Sequence, residues 1–176
     1  PIAVNLSLRQ FRRLDLGDRI EATLKRVGLD PRYLELEVTE SVMMQDPART
    51  IMVLERLRST GITIALDDFG TGYSSLGYIR QFPLDCMKID QSFISGVPGD
   101  LNDVAITKTV ITLAQSLNLR VIAEGIENRE QIAFLRQCGC DEFQGYLFSE
   151  AIPASDMGLL LKENFRNPWD MSAGLV

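Results

Sequence analysis

The 176-residue chain contains no histidine. That excludes a Ser-His-Asp triad, a histidine general base and a histidine-built metal site, so any chemistry must rest on carboxylates, amides, lysines or hard metal ions. Cysteine is scarce. Cys86, Cys138 and Cys140 are odd in number, two of them lie beside the helix-ending glycine of RQCGCDEF, and all three read as reduced thiols packed like small hydrophobes. No apolar run approaches the ~20 residues that span a bilayer, and the opening PIAVNLSLRQF lacks the basic-then-apolar pattern of a secretory leader. Basic residues are in deficit, Lys+Arg 18 against Asp+Glu 24, which argues against broad binding of duplex nucleic acid. Divalent cations held by carboxylates can reverse the local sign, so a phosphate substrate stays open. Gly/Ser linkers, charge blocks and internal duplications are also missing.

What is present is a chain of ordinary globular composition, 45% hydrophobic, with the expectation of a cytoplasmic location. Any membrane anchor of the parent protein would lie in segments outside this sequence. Short β-rich runs alternate with helical ones at intervals of roughly 30 residues, the length of a βαβ step. Strands are expected near Ala3–Leu6, Leu34–Val38, Thr63–Asp67, Met87–Ile89, Val121–Glu124 and Phe143–Leu147. In DVAITKTVITLAQSLNL, Ile106, Val110, Leu113 and Leu117 mark one face of a helix. Asn128 reads as an N-cap with Gln131 at the third helical position, and Gly139 as the stop.

Strands joined in sequence by helices pair in parallel with right-handed crossovers, which leaves a doubly wound sheet or a barrel. A residue that is costly to bury alone stands at the end of every expected strand: Asn5, Glu37, Asp67 with Asp68, Lys88, Glu124 and Gln144. Polar groups from all six strands fit the mouth of a TIM-like (β/α)8 barrel better than a single crevice. Six strands do not close an eight-stranded ring, so further N-terminal strands are expected upstream. The domain is expected over residues 1–165, with 166–176 trailing off as a tail around Pro168.

Adjacent Asp67 and Asp68, leaving the strand of IALDDFGTGYSSL, resist joint ionisation unless a cation is near. Asn5, Glu37, Asp67, Asp68 and Glu124 are all oxygen donors suited to Mg2+ or Mn2+. Two such ions sharing a carboxylate activate water against a phosphodiester. Gly70 and Gly72 permit a tight turn, and Ser74 or Ser75 can cap the short helix that follows.

VNLS, ELEVTES, DDFGTGYSSL, MKIDQSFI, VIAEGIE and FQGYLFS resemble, in order and spacing, the motifs of the EAL-domain phosphodiesterases that linearise the bacterial messenger cyclic di-GMP. The resemblance runs from Val4 to about Ser149. It implies a barrel with one reversed strand, two divalent ions, and hydrolysis of cyclic di-GMP to linear 5′-pGpG. It implies Asn5, Glu37 and Asp67 as ligands of one metal and Asp67, Asp68 and Glu124 as ligands of the other. Lys88 then stands beside the nucleophilic water and Gln144 in its network. Glu40 supports the loop after the paired aspartates, and Glu127 is a second supporting glutamate. Substrate contacts fall to Asp68, Gln144 and Tyr146. The resemblance further implies a homodimer through the region after Asp68, and sensory or cyclase domains upstream. Two departures stand out. The Glu-Ala-Leu strand that names the family is absent from this sequence, and Glu150 with Ala151 replaces a basic residue and proline, which touches substrate contacts at that rim.

The residues admit other readings. A catalytically inactive cyclic di-GMP receptor or interaction module would keep the same fold. A barrel lyase would use Lys88 as a Schiff base. Lys88 and Asp90, two apart on one face, can form a plain ion pair. For Lys88 beside two cations the expected direction of the pKa is downward, which would let it accept a proton.

Overall fold

Six strands pair in sequence order into one parallel sheet: Ile2–Asn5 (β1), Leu34–Thr39 (β2), Thr63–Phe69 (β3), Cys86–Ile89 (β4), Arg120–Ala123 (β5) and Glu142–Phe143 (β6). The connecting helices are Leu8–Phe11 (α1), Leu16–Val27 (α2), Glu40–Met43 (α3), Pro47–Ser59 (α4), Leu76–Ile79 (α5), Gln91–Ile94 (α6), Leu101–Ser116 (α7) and Arg129–Gln137 (α8), with Ala154–Asn164 (α9) last. The computed structural model describes residues 1–70 and 76–164. Gly72, the proposed caps Ser74 and Ser75, and the tail from 166 lie outside the described residues. No helix among those described is long and apolar enough to cross a membrane.

The sheet is curled. Arg120 on β5 forms an ion pair at 2.8 Å with Glu35 on β2, three strand positions away. In a flat sheet those strands would stand about 14 Å apart. A cavity of about 660 Å³ is lined by Ala3 of β1 and Phe143 of β6, so both edges of the sheet border one lumen. The result is the expected barrel architecture as a half-barrel, with β1 at an open edge where Ile2 is 60% and Val4 43% exposed.

The two faces of the sheet are set by alternation. In β2, Leu34, Leu36 and Val38 belong to the main core under the helices, whereas Glu35 and Glu37 face the lumen although both are buried. The lumen has its own small apolar layer of Ala65, Cys86 and Ile122. The other buried apolar residues among those described form the main core cluster, with Ala114 the smallest of its α7 members.

Local signals account for several elements. Asn128 accepts from the Gln131 amide at 2.9 Å while Gln131 Oε1 accepts from the Asn128 amide at 3.1 Å, the expected capping box. Gly139 follows α8 with φ 83°, and Cys140 N donates to Leu135 O across the turn. All three cysteines are free thiols, with Cys86 and Cys140 buried.

Two expectations are corrected. The buried face of α7 is Thr107, Val110, Ile111 and Ala114, while Ile106 is 38% exposed. Thr107 displaces it because its hydroxyl donates to Phe93 O at 3.1 Å, which makes a polar residue the better fit against α6. The last strand ends at Phe143 rather than Leu147, because the chain turns to lace with the loop after β5. Ile126 N donates to Gln144 O and Leu147 N donates to Ile126 O, at 3.0 and 2.9 Å. Gly145 is required there, since a Cβ would overlap the Ile126 backbone.

Candidate active site

Consecutive residues of a strand point to opposite faces, so Asp67 and Asp68 can converge only where β3 departs from regularity. It does so here. The β3–β4 register shifts between Leu66 and Phe69, and Asp68 adopts φ 54°, a left-handed conformation that costs a non-glycine residue energy. The Asp68 amide donates to Asp67 Oδ1 at 3.0 Å. Carboxylate oxygens of Asp67, Asp68 and Glu124 then lie within 4.8 Å of one another.

Lys88, buried on β4, sits among these acids. Its Nζ stands 2.5 Å from Glu37 Oε1, 2.5 Å from Glu124 Oε1 and 3.5 Å from Asp67 Oδ1. Three segments therefore converge on one ammonium: β2, β3 and the residue after β5. Asp90 does not take the place of these partners. It caps α6, accepting from the Ser92 amide at 2.9 Å, which replaces the plain Lys88–Asp90 pair considered from sequence.

Burial and the like charges of Asp67 and Asp90 push the Asp68 carboxyl above its ordinary range. Burial also pushes Glu124 up, against the pull of Lys88. Among the protein's own charges the pKa of Lys88 is raised, whereas the depression expected from sequence is that of Lys88 beside two cations. Burial works to lower it, but hydrogen bonds to Glu124 and Glu37 outweigh burial and raise it.

Asn5 is register-paired with Glu37, which places it on the same face of the sheet, at the exposed edge. Glu40 is buried at the start of α3, directly after β2. A mouth cavity of about 320 Å³ brings Glu127, Gln144 and Tyr146 to the same opening as Asp68 and Glu124. Of these, Tyr146 is 70% exposed. Gly125 turns at φ 69° against Gln91, whose Cβ leaves no room for another side chain. Glu150 is exposed at the rim of the neighbouring lumen. All the expected residues thus lie at the C-terminal ends of the strands.

The donor set fits hard divalent cations. Oxygen ligands from three carboxylates are within reach of one another, two of them with raised proton affinity, and no described histidine or thiol competes at the mouth. Sequence reasoning missed Asp90 and Gln91 as mouth residues. The spacing of Asp90 to Ser92, an N-cap pattern directly after a strand, was the available signal. It also missed the lumen network of Glu35, Arg120 and Glu142, whose one trace is the acid alternating with leucine in LELEV.

Fold and mouth together define a TIM-type half-barrel whose open end carries an oxygen-donor cluster for hard cations. The chain belongs to the EAL domain family, whose model matches residues 1–151. It is 45% identical over 161 residues, 92% of the chain, to the cyclic di-GMP phosphodiesterase NbdA of Pseudomonas aeruginosa, of which it covers 21%. The structure of the PaMucR phosphodiesterase in a c-di-GMP complex superposes with a TM-score of 0.85 at 43% identity, over 89% of this chain and 63% of that one. Complexes of Klebsiella pneumoniae BlrP1 with cy-diGMP and manganese or calcium superpose with a TM-score of 0.77 at 32% identity, over 84% of this chain and 38% of BlrP1. The chain spans about a fifth of the length of the curated relatives it matches.

Proposed function

We propose that this chain carries most of the active site of a metal-dependent cyclic di-GMP phosphodiesterase, which adds water across one phosphodiester to give linear 5′-pGpG. The observation that carries the reading is the convergence of Glu37, Asp67, Asp68 and Glu124 at one barrel mouth around Lys88. Relatives and structural neighbours bearing this activity or ligand in their names support it.

Asn5, Glu37 and Asp67 would hold one divalent ion, and Asp67, Asp68 and Glu124 a second, with Mg2+ or Mn2+ suited to these oxygen donors. When bound, the pair supplies Lewis acidity to the phosphodiester and acidifies water. Lys88 holds Glu37 and Glu124 in place from below and presents a positive charge where negative charge builds on the phosphate. Gln144 offers an amide to the attacking water. Tyr146, exposed at the opening, offers a flat face to a guanine. Glu40 and Glu127 support the loops that follow β3 and β5. In the balanced reaction the water oxygen bonds phosphorus, the P–O3′ bond breaks, and the leaving oxygen takes a proton. A homodimer through the segment after Asp68 and further domains upstream belong to the same reading. A relative named as a bifunctional diguanylate cyclase/cyclic di-GMP phosphodiesterase supports the latter.

The test is Mg2+- or Mn2+-dependent conversion of cyclic di-GMP to pGpG by the full-length protein, compared with Asp67→Asn. Hydrolysis lost in the variant is the expected result. Tight binding of the dinucleotide without turnover would instead establish a receptor and sink the enzyme reading.

A further inference from the structure

One layer below the mouth, the lumen holds a second set of charges that the proposed reaction does not use. Arg120, the first residue of β5, directs Nη2 to Glu35 Oε2 on β2 at 2.8 Å and Nη1 to Glu142 Oε1 on β6. Glu35 is buried. Each of the three lies N-terminal to a mouth residue of its own strand or of the loop directly after it. Glu35 precedes Glu37 by two positions, Glu142 precedes Gln144 by two, and Arg120 precedes Glu124 by four.

Ala65 is register-paired with Glu37 and Cys86 with Arg120, so the small apolar cluster of Ala65, Cys86 and Ile122 lies alongside both sets of charges.

We propose that Arg120 is a positioning residue for the mouth: its guanidinium ties β2 to β5 and β6 across the lumen and so fixes how far apart Glu37, Glu124 and Gln144 stand. Backbone ladders set the spacing of adjacent strands only. The gap between β2 and β5 depends on how tightly β3 and β4 curl between them. A two-armed side chain spanning that gap turns it into a fixed length. Metal coordination and in-line attack tolerate errors of about 0.5 Å, so a brace in this position bears on the chemistry above it. Arg is suited to the task because its planar fork can serve two carboxylates at once, which a lysine ammonium does with less directional control.

This inference rests on the proposed reaction for one of its readouts and on metal uptake for the other. The full-length protein, Arg120→Met and Arg120→Lys are titrated calorimetrically with Mn2+ alone, and assayed for kcat and KM with cyclic di-GMP. Arg120→Met is expected to bind Mn2+ about tenfold more weakly and to lose about tenfold in kcat with KM little changed, with Arg120→Lys recovering most of both. A lowered melting temperature with wild-type Mn2+ affinity and kcat would make the network a stability brace and overturn the proposal. Should Arg120→Met not fold, Glu142→Gln, which leaves Glu35 its partner, decides: weakened Mn2+ binding upholds positioning and unchanged binding overturns it. If the wild type binds Mn2+ but does not hydrolyse cyclic di-GMP, the functional reading falls and the titration alone judges Arg120. Absence of Mn2+ uptake by the wild type removes both.

Discussion

The carboxylates of Asp67 and Asp68, neighbours in sequence on a strand that should aim them apart, approach within 4.8 Å because Asp68 takes a left-handed backbone at φ 54°. Strain and charge repulsion are concentrated at one residue, and a bound cation relieves the repulsion.

Asp68→Gly keeps the backbone shape and removes both the strain and the carboxylate. Stability of the metal-free protein is expected to rise by about 1 kcal/mol, while Mn2+ affinity falls by more than the ~10–100-fold typical of outer-shell partners. Urea melts and calorimetry check the two halves, and a variant that loses stability would refute the strain.

Lys88→Met leaves Glu37, Asp67 and Glu124 without their shared buried cation. The metal-free variant should be less stable by about 3 kcal/mol. Added Mn2+ should raise its melting temperature more than it raises that of the wild type, since the ion then supplies the missing positive charge. Equal shifts in both proteins would show that the carboxylates were never short of charge.

Gly145→Ala forces a methyl group into the Ile126 backbone. A loss of about 2–3 kcal/mol is expected from overpacking, together with weakened turnover as Gln144 and Tyr146 are displaced. Thermal melts and initial rates read these out, and a tolerated alanine would mean that the two loops are not laced as described.

Burial raises the thiols of Cys86 and Cys140 to about 12. At pH 8 only ~10⁻⁴ of either is thiolate, so iodoacetamide should modify them only on unfolding. The unfolded thiols ionise from about pH 9 while the folded ones keep their protons, so the unfolded chain binds fewer protons there and stability falls between about pH 9 and 12. The slope contributed is about 1.4 kcal/mol per pH unit for each thiol. Mass-resolved alkylation and melts from pH 8 to 10.5 test both statements, and rapid labelling of native Cys86 at pH 8 would count against its burial.

Strand order and the placement of Glu37, Lys88 and Asp67 were legible because parallel strands buried on both faces leave a strong pattern, and LELEV shows its two faces directly. The end of β6 was not. Tyr146 and Phe148 have high β propensity, and the backbone of Ile126, distant in sequence, helps turn the segment away. On α7, Val110 is buried as the periodicity expects, but Thr107 takes the place of Ile106 because its hydroxyl donates to the carbonyl of Phe93. The partners of Arg120 lie on β2 and β6 and depend on the curl of the sheet, which no local period encodes. The ion-pair partners of Lys88 were not legible either, because they come from three separate segments.

The alternation of β2 also works as a check on assembly. Slipping this strand by a single residue against β1 and β3 would drive Glu35 and Glu37 into the oily layer under the helices and turn Leu34, Leu36 and Val38 toward the wet interior. A mispaired chain would thus be penalised on both sides at once, so the arrangement that gathers the acids is also the one the ladder can settle into.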